Sequence, residues 1–173
     1  MVKMCDYIEV KITQEMLDLA KVLSEKIPED IKNSILDGKG RFIGCLGQAM
    51  LIYDLGAKHV DSFHFDVVLN NEEFEVKSKG CYQKPLAEYD ATVFDSNTKQ
   101  ETKYYAFTRI LKDYSKGWII GYITPVEYFK KCRFVPKGTI DYKLLTKADG
   151  WNLKYEELIP FKKKQEAELL WNF

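Results

Sequence analysis

The residue types and spacings in this chain that could do chemistry converge on Asp66, Glu75 and Lys77, within the stretch FHFDVVLNNEEFEVKSK at 63–79. Phe63, Phe65, Val67 and Leu69 alternate with His64, Asp66 and Val68, which is the periodicity of a strand. Asn70 and Asn71 tolerate positive φ and can form a two-residue hairpin turn. Opposed residue numbers then sum to 141, setting Leu69 against Glu72, Val67 against Phe74, Asp66 against Glu75 and His64 against Lys77. Directly opposed Cβ atoms lie about 4.5–5.5 Å apart. Two carboxylates at that spacing repel by roughly 3 kcal/mol at an effective dielectric near 20. A divalent cation reverses the sign, and a site of one or two carboxylates completed by water and phosphate oxygens suits Mg²⁺. Lys77, on the same face, could hold an attacking water or a phosphate. The alternative is a solvated polar hairpin face on which the charges merely align.

The elements around the hairpin must position these groups. Residues 12–27 carry Met16, Leu19, Ala20, Leu23 and Ile27 at helical spacing behind Thr13 as N-cap, a packing helix that Pro28 ends. Residues 35–40 read as a loop. Residues 41–55 form a second helix, with Phe42, Leu46, Ala49, Met50 and Tyr53 as its apolar stripe. Gly44 and Gly47 inside it each cost about 0.5–1 kcal/mol relative to alanine. A close approach to a neighbour is the expected reason, and it would bring Gln48 near that neighbour. Strands are expected at 89–94, 104–110 and 118–123, the last apolar enough to be buried on both faces. Thr124-Pro125-Val126-Glu127 is a capping box that opens a helix to about Lys131.

A helix with Gly44-Cys45-Leu46-Gly47-Gln48, a strand carrying Asp66, a short turn and Glu75-Val76-Lys77 together resemble the PD-(D/E)xK nuclease superfamily. The resemblance covers roughly residues 36 to 125 as an order of elements. Phe65 replaces the usual proline before the first acid, and Gln48 stands where such families often carry glutamate. What the resemblance implies is an α/β (α+β) fold with a restriction-endonuclease-like core, a central mixed sheet of four to five strands flanked by helices. It implies Mg²⁺-dependent hydrolysis of DNA phosphodiester bonds, with Mn²⁺ as substitute. Asp66, Glu75 and the Val76 carbonyl would hold the metal, Lys77 would assist the attacking water, and Gln48 would position Lys77 or a water. Lys79 and Lys84 would meet the phosphate backbone, and His64 would be a neighbour of the site. Gln100 and Tyr104 repeat a Q-x-x-x-Y spacing of RecB-like members, but Gln100 reads as a turn residue and the match as chance. A nucleic-acid-binding module on the same fold without catalysis is the competing expectation, and a plain interaction domain is the third.

Composition bounds the rest. Lysine plus arginine balance aspartate plus glutamate at 26 each, so any polyanion surface has to be a local patch. Lys130, Lys131, Arg133 and Lys137 are the densest such stretch outside the lysine triplet at 162–164, and could form a DNA-contacting rim or simply a solvated helix end. Cys5, Cys45, Cys81 and Cys132 form no CxxC pair, which argues against zinc or a disulfide framework and fits a reducing compartment. No apolar run suits a membrane span and no signal-peptide pattern is present. The expectation is one cytoplasmic domain over 1–173, with a core at about 36–132, an N-terminal helix at 12–27 and a C-terminal extension at 133–173. By analogy, it would serve a phage or a repair pathway. The segment QEAELLWNF at 165–173 reads as a short helix docking on the body or on a second copy in a homodimer.

Overall fold

A computed structural model describes residues 6–27, 39–95, 98–141 and 144–163. Strand β1 (Ile8–Lys11) precedes helix α1 (Gln14–Glu25), whose first turn is capped by Thr13 Oγ1 accepting from the Met16 N–H at 3.3 Å. Helix α2 runs over Lys39–Leu55, so the last two residues of the expected loop at 35–40 open this helix, while 35–38 lie outside the described residues. Strands β2 (Lys58–His59), β3 (Val67–Leu69) and β4 (Glu72–Cys81) form an antiparallel meander. Asn70 and Asn71 turn β3 into β4 with φ of 52° and 63°, the pair of positive angles that a type I′ hairpin needs. Strand β5 (Asp90–Phe94) follows, then β6 (Tyr104–Leu111) and β7 (Lys116–Ile123). Helix α3 (Pro125–Lys131) starts at the Thr124 cap as its sequence predicts, with Thr124 Oγ1 accepting from the Glu127 N–H. Strands β8 (Arg133–Val135), β9 (Ile140–Asp141), β10 (Leu144–Leu145) and β11 (Gly150–Lys154) and a 3₁₀ turn at Tyr155–Glu157 complete the described chain.

The main sheet has six strands in the order β1-β7-β6-β4-β3-β2, so the expectation of four to five is corrected. The only parallel pair in it joins β4 to β6, with Phe74 beside Tyr104 and Lys77 beside Phe107. The added strands, β1 and β2, span four and two residues and sit at the sheet edges, too short for periodicity to announce them. The strand expected at 89–94 exists but leaves this sheet. It pairs with β11, which pairs with β8, in a separate three-stranded sheet.

Helices α1 and α2 cover one face of the main sheet, burying Leu46 and Met50 against Val76, Ala106 and Ile119. The other face is covered by the small sheet and α3, where Tyr105, Phe107 and Ile120 pack on Val93, Leu153 and Tyr128. One face is therefore covered by helices alone, and the second layer is mixed. Strand β4 is shared by both cores: Phe74 and Val76 point toward the helices, and Cys81 toward the small sheet. Side chains alternate along a strand, so Glu75, Lys77 and Lys79 share the Cys81 face. Gly47 explains how closely α2 approaches this strand. A Cβ there would lie 1.9 Å from Ser78 Oγ and 2.7 Å from Thr108 Oγ1, and those two hydroxyls are themselves hydrogen-bonded at 2.7 Å. No helix among the described residues is long and apolar enough to cross a membrane.

Candidate metal centre at the fork of β3 and β4

The hairpin register is the one the turn dictates: Leu69 faces Glu72, Val68 faces Glu73 and Val67 faces Phe74. The paired ladder stops there. The Asp66 N–H is donated at 3.0 Å to the carbonyl of Phe74, which is already Val67's partner, so two residues of one strand meet one residue of the other in the manner of a β-bulge. On the outer side, the Asp66 carbonyl accepts from the Val60 N–H at 2.9 Å. Beyond this point β3 and β4 diverge, and the opposition of Asp66 to Glu75 and of His64 to Lys77 does not continue as strand pairing. Instead, Asp66 Oδ2 reaches across the fork and accepts the Val76 N–H at 2.9 Å, taking the place of a missing strand carbonyl. The N–H and C=O of one residue leave a strand on the same side, so the Val76 carbonyl also faces the fork.

The two acids still meet, at the fork rather than across a ladder. Asp66 is half-buried and Glu75 is buried, which removes the reading of the hairpin as a solvated polar face. The Asp66 carboxyl is pushed up to about 8, first by loss of water around it, then by the Glu75 charge; the Val76 N–H and Lys77 oppose this. The proximity of the Glu75 carboxylate adds to the upward shift, so it is the Asp66 carboxyl whose proton is retained toward neutral pH. Lys77 Nζ donates to Glu75 Oε1 at 2.9 Å, and its side chain is only 13% exposed.

Gln100 is the residue that sequence reasoning set aside and the structure brings in. Its Oε1 accepts from Lys77 Nζ at 2.8 Å, and its Nε2 donates to the Phe63 carbonyl at 3.1 Å. The loop before β6 is delivered to this end of β4 because the parallel pair begins with Phe74 beside Tyr104. The Q-x-x-x-Y spacing was the available signal. Tyr104 itself lies in the aromatic packing, stacked on Phe74 with ring centroids 5.0 Å apart, and not at the acids. His64 is a neighbour, as expected: its Nδ1 accepts the Glu101 N–H at 3.0 Å.

The remaining expected site residues fall elsewhere. Gln48 follows Gly47, whose contact with Ser78 puts this part of α2 against the face of β4 opposite Glu75 and Lys77. Gln48 Oε1 is buried without a hydrogen-bond partner among the described residues. One turn earlier on α2, the buried Cys45 thiol is raised to about 11, by burial first and then by the Asp66 charge, so the helix does approach the fork. Lys79 reaches Thr92 Oγ1 of the small sheet, and Thr92 in turn bonds Asn152. Lys84 is exposed in the loop after β4. In the expected basic rim, Lys130 pairs with Glu127, Lys131 with Glu157, and Arg133 with buried Asp90 at 2.7 Å. Lys131 and Arg133 line a cavity of about 420 Å³ with Lys154, Asn152 and the two acids Asp90 and Glu157.

Whether the fork fits a divalent cation is decided by its donor set. Two closely placed acids, with a backbone carbonyl facing the same gap, are a charge arrangement that a cation relieves. Among the described residues no three His, Cys, Asp or Glu side chains converge, and the donors that face the fork are carboxylate and carbonyl oxygens, the type Mg²⁺ takes. Compared with models of protein families and with curated proteins, the chain matches none.

Proposed function

We propose that this protein is a metal-dependent nuclease that hydrolyses phosphodiester bonds of DNA. The observation that carries the reading is the fork itself. Asp66 and Glu75 are held close enough for the charge of one to raise the carboxyl of the other, Asp66 Oδ2 is fixed on the Val76 N–H, and an ordered ammonium stands beside Glu75. Asp66, Glu75 and the Val76 carbonyl would hold Mg²⁺, or Mn²⁺ in its place. The ion's contribution when bound is to polarise the scissile phosphate and to acidify water. The chain's own groups do the rest. Lys77 Nζ has three N–H donors, of which Glu75 and Gln100 take two. The third is available to orient a water or to stabilise charge that develops on the phosphate oxygens. Gln100 fixes the direction of that third donor, because it is itself tied to the Phe63 backbone. DNA as the substrate comes from the sequence resemblance to PD-(D/E)xK nucleases.

A second reading, a nucleic-acid-binding module that does not cleave, is favoured by one observation. The only acid on α2 is Asp54, at its far end, so the helix adds no carboxylate to the pair. Incubation with Mn²⁺ and plasmid, single-stranded and branched DNA, followed by gel electrophoresis, separates the two. Cleavage of at least one substrate that stops on adding a chelator is the expected result. Binding without cleavage supports the second reading, and neither binding nor cleavage rejects both.

A further inference from the structure

Phe63 is 70% exposed although it belongs to the apolar alternation FHFDVVL, and its backbone is fixed close to the acids. Its carbonyl accepts from Gln100, whose other end accepts from Lys77. The following residue is held just as firmly, since the His64 N–H donates to Ser62 Oγ at 3.2 Å and His64 Nδ1 accepts the Glu101 N–H. The Phe63 ring stands edge to face with the His64 imidazole, with centroids 5.3 Å apart. A rigidly mounted, solvent-facing aromatic therefore sits two side-chain hydrogen bonds from the ammonium beside the two acids.

Resting on the nucleolytic reading above, we propose that Phe63 is a stacking platform for an unpaired base of the strand engaged at Asp66, Glu75 and Lys77, so that the substrate class is single-stranded or locally unpaired nucleic acid. The chemistry of the ring decides between base and backbone. Exposed Asp61 and Glu101 are balanced by exposed Lys99 and Lys103, so charge selects neither, but a phenyl ring has no donor for a phosphate, whereas the face of a base stacks on it. Every base has a π-face, so such a platform is indifferent to sequence. A continuous duplex keeps its base faces stacked on one another and offers none to the ring.

The test is binding by the protein with both acids intact, which keeps the Lys77–Gln100–Phe63 connection, with Ca²⁺ as the ion since it takes the same oxygen ligands. Fluorescence of a single-stranded oligonucleotide carrying 2-aminopurine and anisotropy of a labelled duplex, both with non-hydrolysable backbones, are measured for the wild type and for Phe63→Ala and Phe63→Trp. Stacking on an aromatic platform predicts that Phe63→Ala weakens single-strand binding by about 5- to 100-fold, removes the 2-aminopurine quenching and leaves duplex binding unchanged. Phe63→Trp retains both the affinity and the quenching. The exposed ring makes misfolding of these variants a minor concern, and circular dichroism checks it. Unchanged single-strand affinity in Phe63→Ala, or equal losses for single strand and duplex, overturns the stacking role while leaving the nuclease reading in place. A change in sedimentation with no change in binding would assign the ring to self-association and overturn it as well. Absence of binding to either oligonucleotide rejects both the stacking role and the reading on which it rests.

Discussion

Lys77→Ala is expected to lower the turnover of Mn²⁺-dependent DNA cleavage by about 10²–10⁴-fold, the range for removing a positioned group that handles a proton or developing charge. The effect is specific because of where the ammonium sits. It bridges Glu75 and Gln100 with its side chain largely removed from solvent, so neither a neighbouring lysine nor bulk water replaces it. Lys79, two residues on, already reaches Thr92 in the other sheet. The variant should keep the fold, since Val76 and Phe74, which anchor β4 in the helical core, are untouched. It should also keep Mn²⁺ binding, because removing a cation leaves the acids more attractive to a metal. Single-turnover kinetics at saturating Mn²⁺, compared with wild type, check this; equal rates would remove Lys77 from the chemistry.

Asp66→Asn is expected to raise the metal-free melting temperature at pH 8 by several degrees and to flatten its fall with pH. The direction follows from proton linkage. The folded Asp66 carboxyl keeps its proton to about pH 8, whereas in the unfolded chain it titrates near its ordinary value of 3.8. Between those limits the folded state binds more protons, so this group's contribution is fully present below about pH 4 and is lost as pH rises toward 8. Asparagine mimics the protonated acid: its amide oxygen can accept the Val76 N–H and its amide nitrogen can donate to Glu75. The same change removes a metal ligand, so Mg²⁺ or Mn²⁺ should raise the melting temperature of wild type by mass action but not that of the variant. Calorimetric scans from pH 5 to pH 8.5, with and without Mn²⁺, measure both effects. A variant that melts below wild type at pH 8 would show that the Asp66 charge is not the strained group.

The turn and the register of this arrangement are legible in the amino-acid sequence. Asn70 and Asn71 announced the turn and therefore the register, because a two-residue loop leaves only one pairing. The alternation of β4 announced which residues share a face. The point where the ladder ends was not legible. It is set by Asp66 N–H meeting Phe74 and by Val60 closing on Asp66, contacts that depend on β2, a strand of two residues. The fork is nonetheless what the site requires, since it frees the Val76 N–H for Asp66 and turns the Val76 carbonyl toward the gap. Gln100 was visible in a spacing but discounted because a polar turn carries no periodicity to say which strand it will lie against. The small sheet was missed for a related reason. Thr92 pairs with Asn152 across 60 residues, and in Gly150-Trp151-Asn152-Leu153-Lys154 the alternation runs for only four residues behind a glycine, too short to announce a strand. The expected C-terminal helix at 165–173 lies outside the described residues.

That Asp66 and Glu75 form a divalent-cation site is tested most directly by titrating Mn²⁺ into the wild-type protein at pH 7 by calorimetry, in two buffers of different ionisation enthalpy. One ion should bind per chain, with an apparent heat that differs between buffers because the Asp66 carboxyl proton is released as the metal enters. No binding heat in either buffer, or binding with no proton release that persists undiminished in Asp66→Asn, would contradict the account.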